Sequence, residues 1–296
     1  MPVGLAGRSI IFNRLSLRII VNSLFTTFRT ILDKLVVIPT YNEKENISSI
    51  LHAIFGLQEG FHVLVVDDGS PDGTAQIVKE LQLKFPDQLF MEERTGKLGL
   101  GTAYIHGFRW AIARNYQFVF EMDADFSHNP KDLPRLHNAC KNEGADLAVG
   151  SRYVKNGGVV NWPGNRIALS KGASLYTRLI TWMPVKDPTA GFICYKKEVL
   201  ETINLDRIRF VGYAFQIEMK FAAWKLGFKI KEVPIIFQDR TYGISKMNKS
   251  IVKEGILGVL KLRWNSLFKN YRRSVKTEQP DIAPVNKGTS NKALME

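Results

Sequence analysis

The chain has 296 residues, 45% of them hydrophobic, with 41 Lys and Arg against 28 Asp and Glu for a formal net charge of +13. That length and apolar fraction exclude a disordered polyelectrolyte and predict one buried core, in a domain of about 210 residues flanked by tails. The two cysteines, Cys140 and Cys194, stand far apart and outside any ligand pattern, which excludes a disulfide scaffold and predicts reduced core thiols in a cytoplasmic protein. No 18 uncharged apolar residues run together and no secretory leader is legible, so neither a membrane span nor export is expected.

Residues 1–33 place Arg14, Arg18, Asn22 and Thr26 at i, i+4 spacing beside Ile11, Phe12, Leu15, Ile19 and Leu24. The pattern predicts a basic amphipathic helix for a membrane surface, with an over-long translated start as the alternative. From Leu35 the apolar run to Ile38 reads as a strand, Pro39 to Glu43 as a loop, and Asn46 as the N-cap of a helix to about Phe55. The unit repeats: Val63 to Val66 is a strand, Asp67-Asp68-Gly69-Ser70-Pro71-Asp72-Gly73 an acidic turn, and Thr74 opens a helix to about Leu83. The Gly-rich stretch Gly96 to Ala103 enters a helix to about Ala113, with glycines suited to close backbone packing and the wrong spacing for a phosphate loop. Phe118 to Phe120 then form a strand that ends in Asp123 and Asp125, followed by Ser127 and the turn-forming Asn129-Pro130. Three strand–acidic loop–helix units predict an α/β fold with a parallel sheet and ligand groups along its carboxyl edge. Two carboxylates and a hydroxyl there suit an oxygen-ligated Mg²⁺ or Mn²⁺ on a diphosphate.

Val149 to Tyr153 reads as a strand end with an exposed Arg152, and Trp162 to Gly172 as a helix entry carrying Arg166, Ser170 and Lys171, a ready oxyanion site. Asp187-Pro188-Thr189-Ala190-Gly191 forms a turn, and Arg240 and Lys246 lie in a Gly/Ser loop suited to closing over a diphosphate. Between Lys246 and Lys276 nine Lys and Arg face one acid, Glu254. Val252, Ile256, Val259, Leu260, Trp264 and Leu267 form an apolar face there, predicting a helix for an anionic membrane surface or for the core. Residues 277–296 read as a disordered tail. No nucleic-acid motif accompanies the positive charge.

The blocks Val37 to Glu43, Val66 to Thr74 and Asp123 to Pro130 resemble inverting nucleotide-sugar glycosyltransferases of the GT-A fold, in family 2. More narrowly they resemble the dolichol-phosphate (polyprenol-phosphate) mannose synthases, over residues 34–247. The resemblance implies a GT-A (Rossmann-like) α/β catalytic domain at 34–247, followed by a basic amphipathic helix at 248–276. It implies mannose transfer from GDP-mannose to a polyprenyl phosphate with inversion. The donor would be held by Pro39, Tyr41, Glu43, Val66, Asp68, Asp123, Ala124, Asp125, Ser127, Arg240 and Lys246, and the metal by Asp123, Asp125 and Ser127. Arg152, Arg166 and Ser170 would take the acceptor phosphate, and Asp125, Arg152, Arg240 and Lys246 would carry the chemistry. Glu218 stands where many relatives place a catalytic carboxylate, yet an anionic phosphate nucleophile requires no general base, so a structural role is expected. Peripheral association with the cytoplasmic membrane face, with a possible separate anchoring subunit, follows from the resemblance. A polyprenyl-phosphate glucose synthase using UDP-glucose is the second reading, and an inactive membrane-surface scaffold the third.

Overall fold

The computed structural model describes residues 33–212, 214–239 and 249–273. The expected N-terminal amphipathic helix, Arg240, Lys246 and the C-terminal tail lie outside the described residues. Four parallel strands come first: β1 (Lys34–Thr40), β2 (Phe61–Asp67), β3 (Leu89–Glu93) and β4 (Phe118–Glu121). They join β5 (Leu147–Ser151), β7 (Ile193–Lys196) and β8 (Ile230–Pro234) in one sheet of order β3-β2-β1-β4-β7-β5-β8. Only β7 runs antiparallel to its neighbours in that sheet. A small second ladder pairs β6 (Gly158–Val160) with β9 (Ile236–Gln238).

Helices α1 (Lys44–Phe55), α2 (Thr74–Gln82), α3 (Leu100–Ala113) and α4 (Leu133–Lys141) are the crossovers. They cover both faces, as near-continuous apolar strands such as Leu35 to Ile38 require. Two core layers result. One gathers Val37, Leu64, Tyr104, Phe108 and Phe215, the other Ile38, Ile47, Val65, Phe120 and Leu133. The remaining helices are α5 (Gly164–Thr181), α6 (Lys197–Thr202), α7 (Ala214–Lys225) and α8 (Lys249–Asn265).

Helix α1 starts before the expected cap. Glu43 O accepts from Asn46 N and Ile47 N at 3.0 and 2.9 Å, so Asn46 sits inside the helix, where its Nδ2 donates to Glu43 Oε2 at 3.0 Å. The glycines before α3 serve packing: Gly101 N donates to Val211 O at 2.8 Å, and a Cβ there would meet Phe210 O and the Phe215 ring at 2.8 Å. The expected apolar face of α8 divides. Val259 and Leu262 are buried, whereas Leu260, Trp264 and Leu267 face outward, because the helix lies along α5 and α7 and only one side finds a partner.

Candidate active site

Parallel register brings the acidic loops together. Thr40 stands opposite Asp67 and Val37 opposite Glu121, so β1, β2 and β4 release their chains at one edge. Asp67 is the knot of that edge: Thr40 Oγ1, Ser70 N and Ser70 Oγ donate to its carboxylate at 2.7, 2.8 and 2.6 Å. Lys44 N, Thr74 N and Thr74 Oγ1 likewise converge on Asp72, tying the loops after β1 and β2 to each other. Asp68 is buried at the same edge, where Arg94 Nε donates to it at 2.6 Å and Leu98 N at 3.1 Å. Lys97 lies 4.8 Å from the ring centroid of Tyr41. Pro39 and Glu43 are half-buried there, whereas Val66 and Ala124 are buried in the core, which leaves only their main chains for a ligand.

Asp123, Asp125, Ser127, Arg152 and Arg166 line one cleft, together with His128, Trp162, Thr189, Gly191, Gln216, Phe237 and Asp239. Asp125 is buried and accepts from Ser127 N at 3.0 Å, closing the turn after β4. Tyr104 OH lies 3.4 Å from Asp123 Oδ1, and burial holds that phenol far above its usual range, so it remains a donor. Burial pushes His128 down to about 4. The neutral ring stacks on Phe192 at 4.9 Å and its Nδ1 accepts from Asp123 N at 3.3 Å, fixing the main chain between the two aspartates. Two carboxylates and a hydroxyl are a hard-oxygen set that fits Mg²⁺ or Mn²⁺ and leaves coordination positions for diphosphate oxygens. Among the described residues no group of three or more His, Cys, Asp or Glu is placed to hold a metal ion.

Arg152 is not exposed, as its place at a strand end suggested, but buried. Its Nε and one terminal nitrogen each donate to Asp187 at 2.7 Å, its backbone N donates to the same carboxylate at 2.9 Å, and Thr189 Oγ1 accepts at 2.8 Å. The Asp187–Gly191 turn therefore aims the guanidinium, beside the rings of Tyr153, Trp162 and Phe237 at 5.2 to 5.6 Å. Arg166 pairs with Asp239 at 2.8 Å and lies 4.0 Å from the Trp162 centroid. Ser170 Oγ accepts from Tyr153 OH at 2.7 Å and does not line the cleft itself.

Lys220, fully buried on α7, holds the turn from beneath by donating to Ala190 O at 2.6 Å and Gln216 O at 2.9 Å. Burial lowers it to about 8, against the attraction of Glu121 and Asp187. Glu218 points elsewhere: it accepts from Arg209 N at 2.7 Å and Phe210 N at 3.1 Å and pairs with Lys269 at 2.6 Å. Sequence reasoning missed Arg94 and Lys220, which carry no motif, and Asp239, which stood beside Arg240 in a block whose cations drew the attention; each meets its partner only in the tertiary structure. His128 and Thr189 stood inside motifs whose acidic and basic members drew the attention.

Residues 35–203 match Glycosyl transferase family 2. The chain is 48% identical over 225 residues to the polyprenol monophosphomannose synthase of Mycolicibacterium smegmatis, covering 76% of this chain and 84% of that one. It is 44% identical over 237 residues to the undecaprenyl-phosphate mannosyltransferase of Micrococcus luteus, covering 79% and 96%. Among solved structures, the mannosyl-3-phosphoglycerate synthase of Rubrobacter xylanophilus superposes with a TM-score of 0.59 at 18% identity, over 82% of this chain and 77% of that one, and shows the shared GT-A fold. The chain is thus a glycosyltransferase of family 2, belonging to its polyprenol-phosphate mannose synthases.

Proposed function

We propose that the protein transfers mannose from GDP-mannose to a polyprenyl phosphate with inversion, giving a β-linked polyprenyl phosphate mannose. The observation that carries this reading is the single cleft in which the oxygen set of Asp123, Asp125 and Ser127 faces the cations Arg152 and Arg166. One group of residues suits a nucleotide diphosphate, the other a second phosphate. A Mg²⁺ or Mn²⁺ held by Asp123, Asp125 and Ser127 would supply Lewis-acid neutralisation of the donor diphosphate. Pro39, Tyr41, Glu43 and Asp68, the last paired with Arg94, are assigned to guanosine and ribose. Arg152 and Arg166 orient the acceptor phosphate, and Ser170 steadies Tyr153 beside them.

The attacking phosphate oxygen is already anionic near neutral pH, so no side chain has to take a proton from it. The engagement of Glu218 by Arg209, Phe210 and Lys269 supports that economy. Arg240 and Lys246, outside the described residues, are assigned to the charge that builds on departing GDP. No described helix is long and apolar enough to cross a membrane, and we place the enzyme peripherally on the cytoplasmic face, where a separate subunit can anchor it.

The test is incubation of purified protein with labelled GDP-mannose, a polyprenyl phosphate and Mg²⁺ or Mn²⁺, with EDTA and UDP-glucose controls. Metal-dependent label in the organic extract is the expected result. Label from UDP-glucose alone would transfer the reading to glucose, and silence with both donors would overturn it.

A further inference from the structure

Lys171, Ser174 and Arg178 stand at i, i+3 and i+7 on α5, so they share one stripe of the helix. The turn after β5 runs opposite that stripe. Gly157 N donates to Val154 O at 2.9 Å there, and a Cβ on Gly157 would fall 2.6 Å from Ser151 O, so the turn folds tightly against the strand end. Lys186 is set beside them by Glu232 of β8. That carboxylate accepts from Lys186 N at 2.8 Å, Asp187 N at 3.0 Å and Ser151 Oγ at 2.7 Å. Helix, turn and Lys186 enclose a hollow of about 360 Å³. Arg152 lines both this hollow and the cleft, and so stands between them.

No acid lines the hollow, although four cations do. Ser174 is 3% exposed, and among the described residues neither its Oγ nor Arg178 Nε has a hydrogen-bond partner. The next hydroxyls along the helix are different: Thr177 Oγ1 and Thr181 Oγ1 donate to Ala173 O and Thr177 O at 2.8 and 2.6 Å. A helical hydroxyl can always turn to its own helix in this way, so leaving Ser174 unsatisfied is a cost that a ligand would remove. Arg152 brings charge rather than a donor, since Asp187 and Thr189 take its side-chain N–H groups. Lys171 and Lys186 are exposed and bring flexible ammonium groups. Two buried donors and two ammonium groups around an acid-free hollow match the acceptor oxygens and double negative charge of a phosphate monoester.

We propose that this hollow is a second phosphate site, separate from the cleft, which takes dissolved inorganic phosphate or a small phosphate monoester and thereby weakens the hold on the acceptor. Ser174 Oγ and Arg178 Nε donate to its oxygens, and Lys171 and Lys186 balance its charge. A dianion there and the acceptor phosphate in the cleft repel each other across the one guanidinium of Arg152. The effect on the acceptor rests on the proposed function, whereas occupancy of the hollow does not.

The experiment is equilibrium dialysis of the full chain with labelled inorganic phosphate, at fixed ionic strength and without metal or donor. Two classes of site are expected. Ser174→Ala and Arg178→Gln/Lys186→Gln should each weaken one class at least tenfold, whereas Arg166→Gln should weaken only the other. Ser174→Ala and the single Lys186→Gln carry the test should the Arg178 variant fail to fold. One class lost only with Arg166→Gln, or binding that none of these changes moves, overturns the proposal. Monomeric short-chain phosphatidylglycerol, a phosphodiester, is the competing ligand: if it binds through Ser174 and Arg178 and phosphate does not, the hollow takes a lipid headgroup and the proposal fails. In the transfer assay with a short-chain prenyl phosphate, added phosphate should raise the acceptor KM several-fold and leave kcat unchanged. Ser174→Ala should reduce that rise without altering the rate in the absence of phosphate; an equal rise in the variant places the effect in the cleft and overturns the link to the acceptor. Both classes of site as expected, with no transfer from any donor, would instead refute the proposed function alone.

Discussion

Asp187→Asn is the sharpest perturbation of the site's construction. The wild-type carboxylate accepts three N–H groups of Arg152, two from the guanidinium and one from the main chain, with its own side chain fully buried and that of Arg152 at 9% exposure. Asparagine keeps the shape but retains one acceptor oxygen, turns an NH₂ toward a guanidinium N–H, and leaves the cation uncompensated. Removing one member of a buried pair costs about 3–5 kcal/mol, which in a domain of this size is roughly 6–20 °C in Tm.

Burial raises the Asp187 carboxyl, but the hydrogen bonds and charge of Arg152 outweigh it and hold it below its ordinary 3.8. A depressed carboxylate stabilises the fold above the pKa of the unfolded chain, and that stabilisation is lost as pH falls through the folded value. The Tm gap between wild type and variant should therefore stay constant from neutral pH down to about 4 and close only below it. Thermal unfolding measures the gap, and kcat/KM for the acceptor should fall at least tenfold as Arg152 loses its aim. The stability effects of Asp187→Asn and Arg152→Ala should also be strongly non-additive. A Tm within about 2 °C of wild type, corresponding to less than about 1 kcal/mol, would refute the argument that this carboxylate holds the arginine.

Asp125→Asn should lower turnover on the order of 100-fold, equivalent to roughly 3 kcal/mol of transition-state stabilisation, and near-normal initial rates would remove Asp125 from the site. For Glu218→Gln the expected outcome is turnover within a few-fold of wild type and a loss of about 2 kcal/mol in denaturant unfolding, from the weakened hydrogen bonds to a charged acceptor. A 100-fold drop in rate there would place Glu218 in the chemistry. Gly101→Ala should cost about 1–3 kcal/mol because its Cβ meets the Phe215 ring and Phe210 O; an unchanged Tm would show that the approach of α3 to that segment is loose.

The sequence by itself determined the strand–loop–helix alternation, because apolar runs such as Leu35 to Ile38 can be buried on both faces only in a parallel sheet. It also determined the acidic loops and the basic helix entry, since turn-forming Gly, Pro and Asp residues bracket the charges within a few positions of each other. Tertiary structure alone decided what those charges face. Arg152 and Asp187 are 35 residues apart and meet through the pairing of β5 with β7, a register that no local pattern encodes. Lys220 reaches Ala190 across 30 residues because α7 packs beneath that turn. Tertiary structure also decided which side of α5 is inward. Ser174, Thr177 and Thr181 are buried, with Thr177 Oγ1 and Thr181 Oγ1 donating to the helix's own carbonyls, whereas Leu175 and Leu179 are left outside. Periodicity records that a helix has two faces; only its partners determine which one is buried.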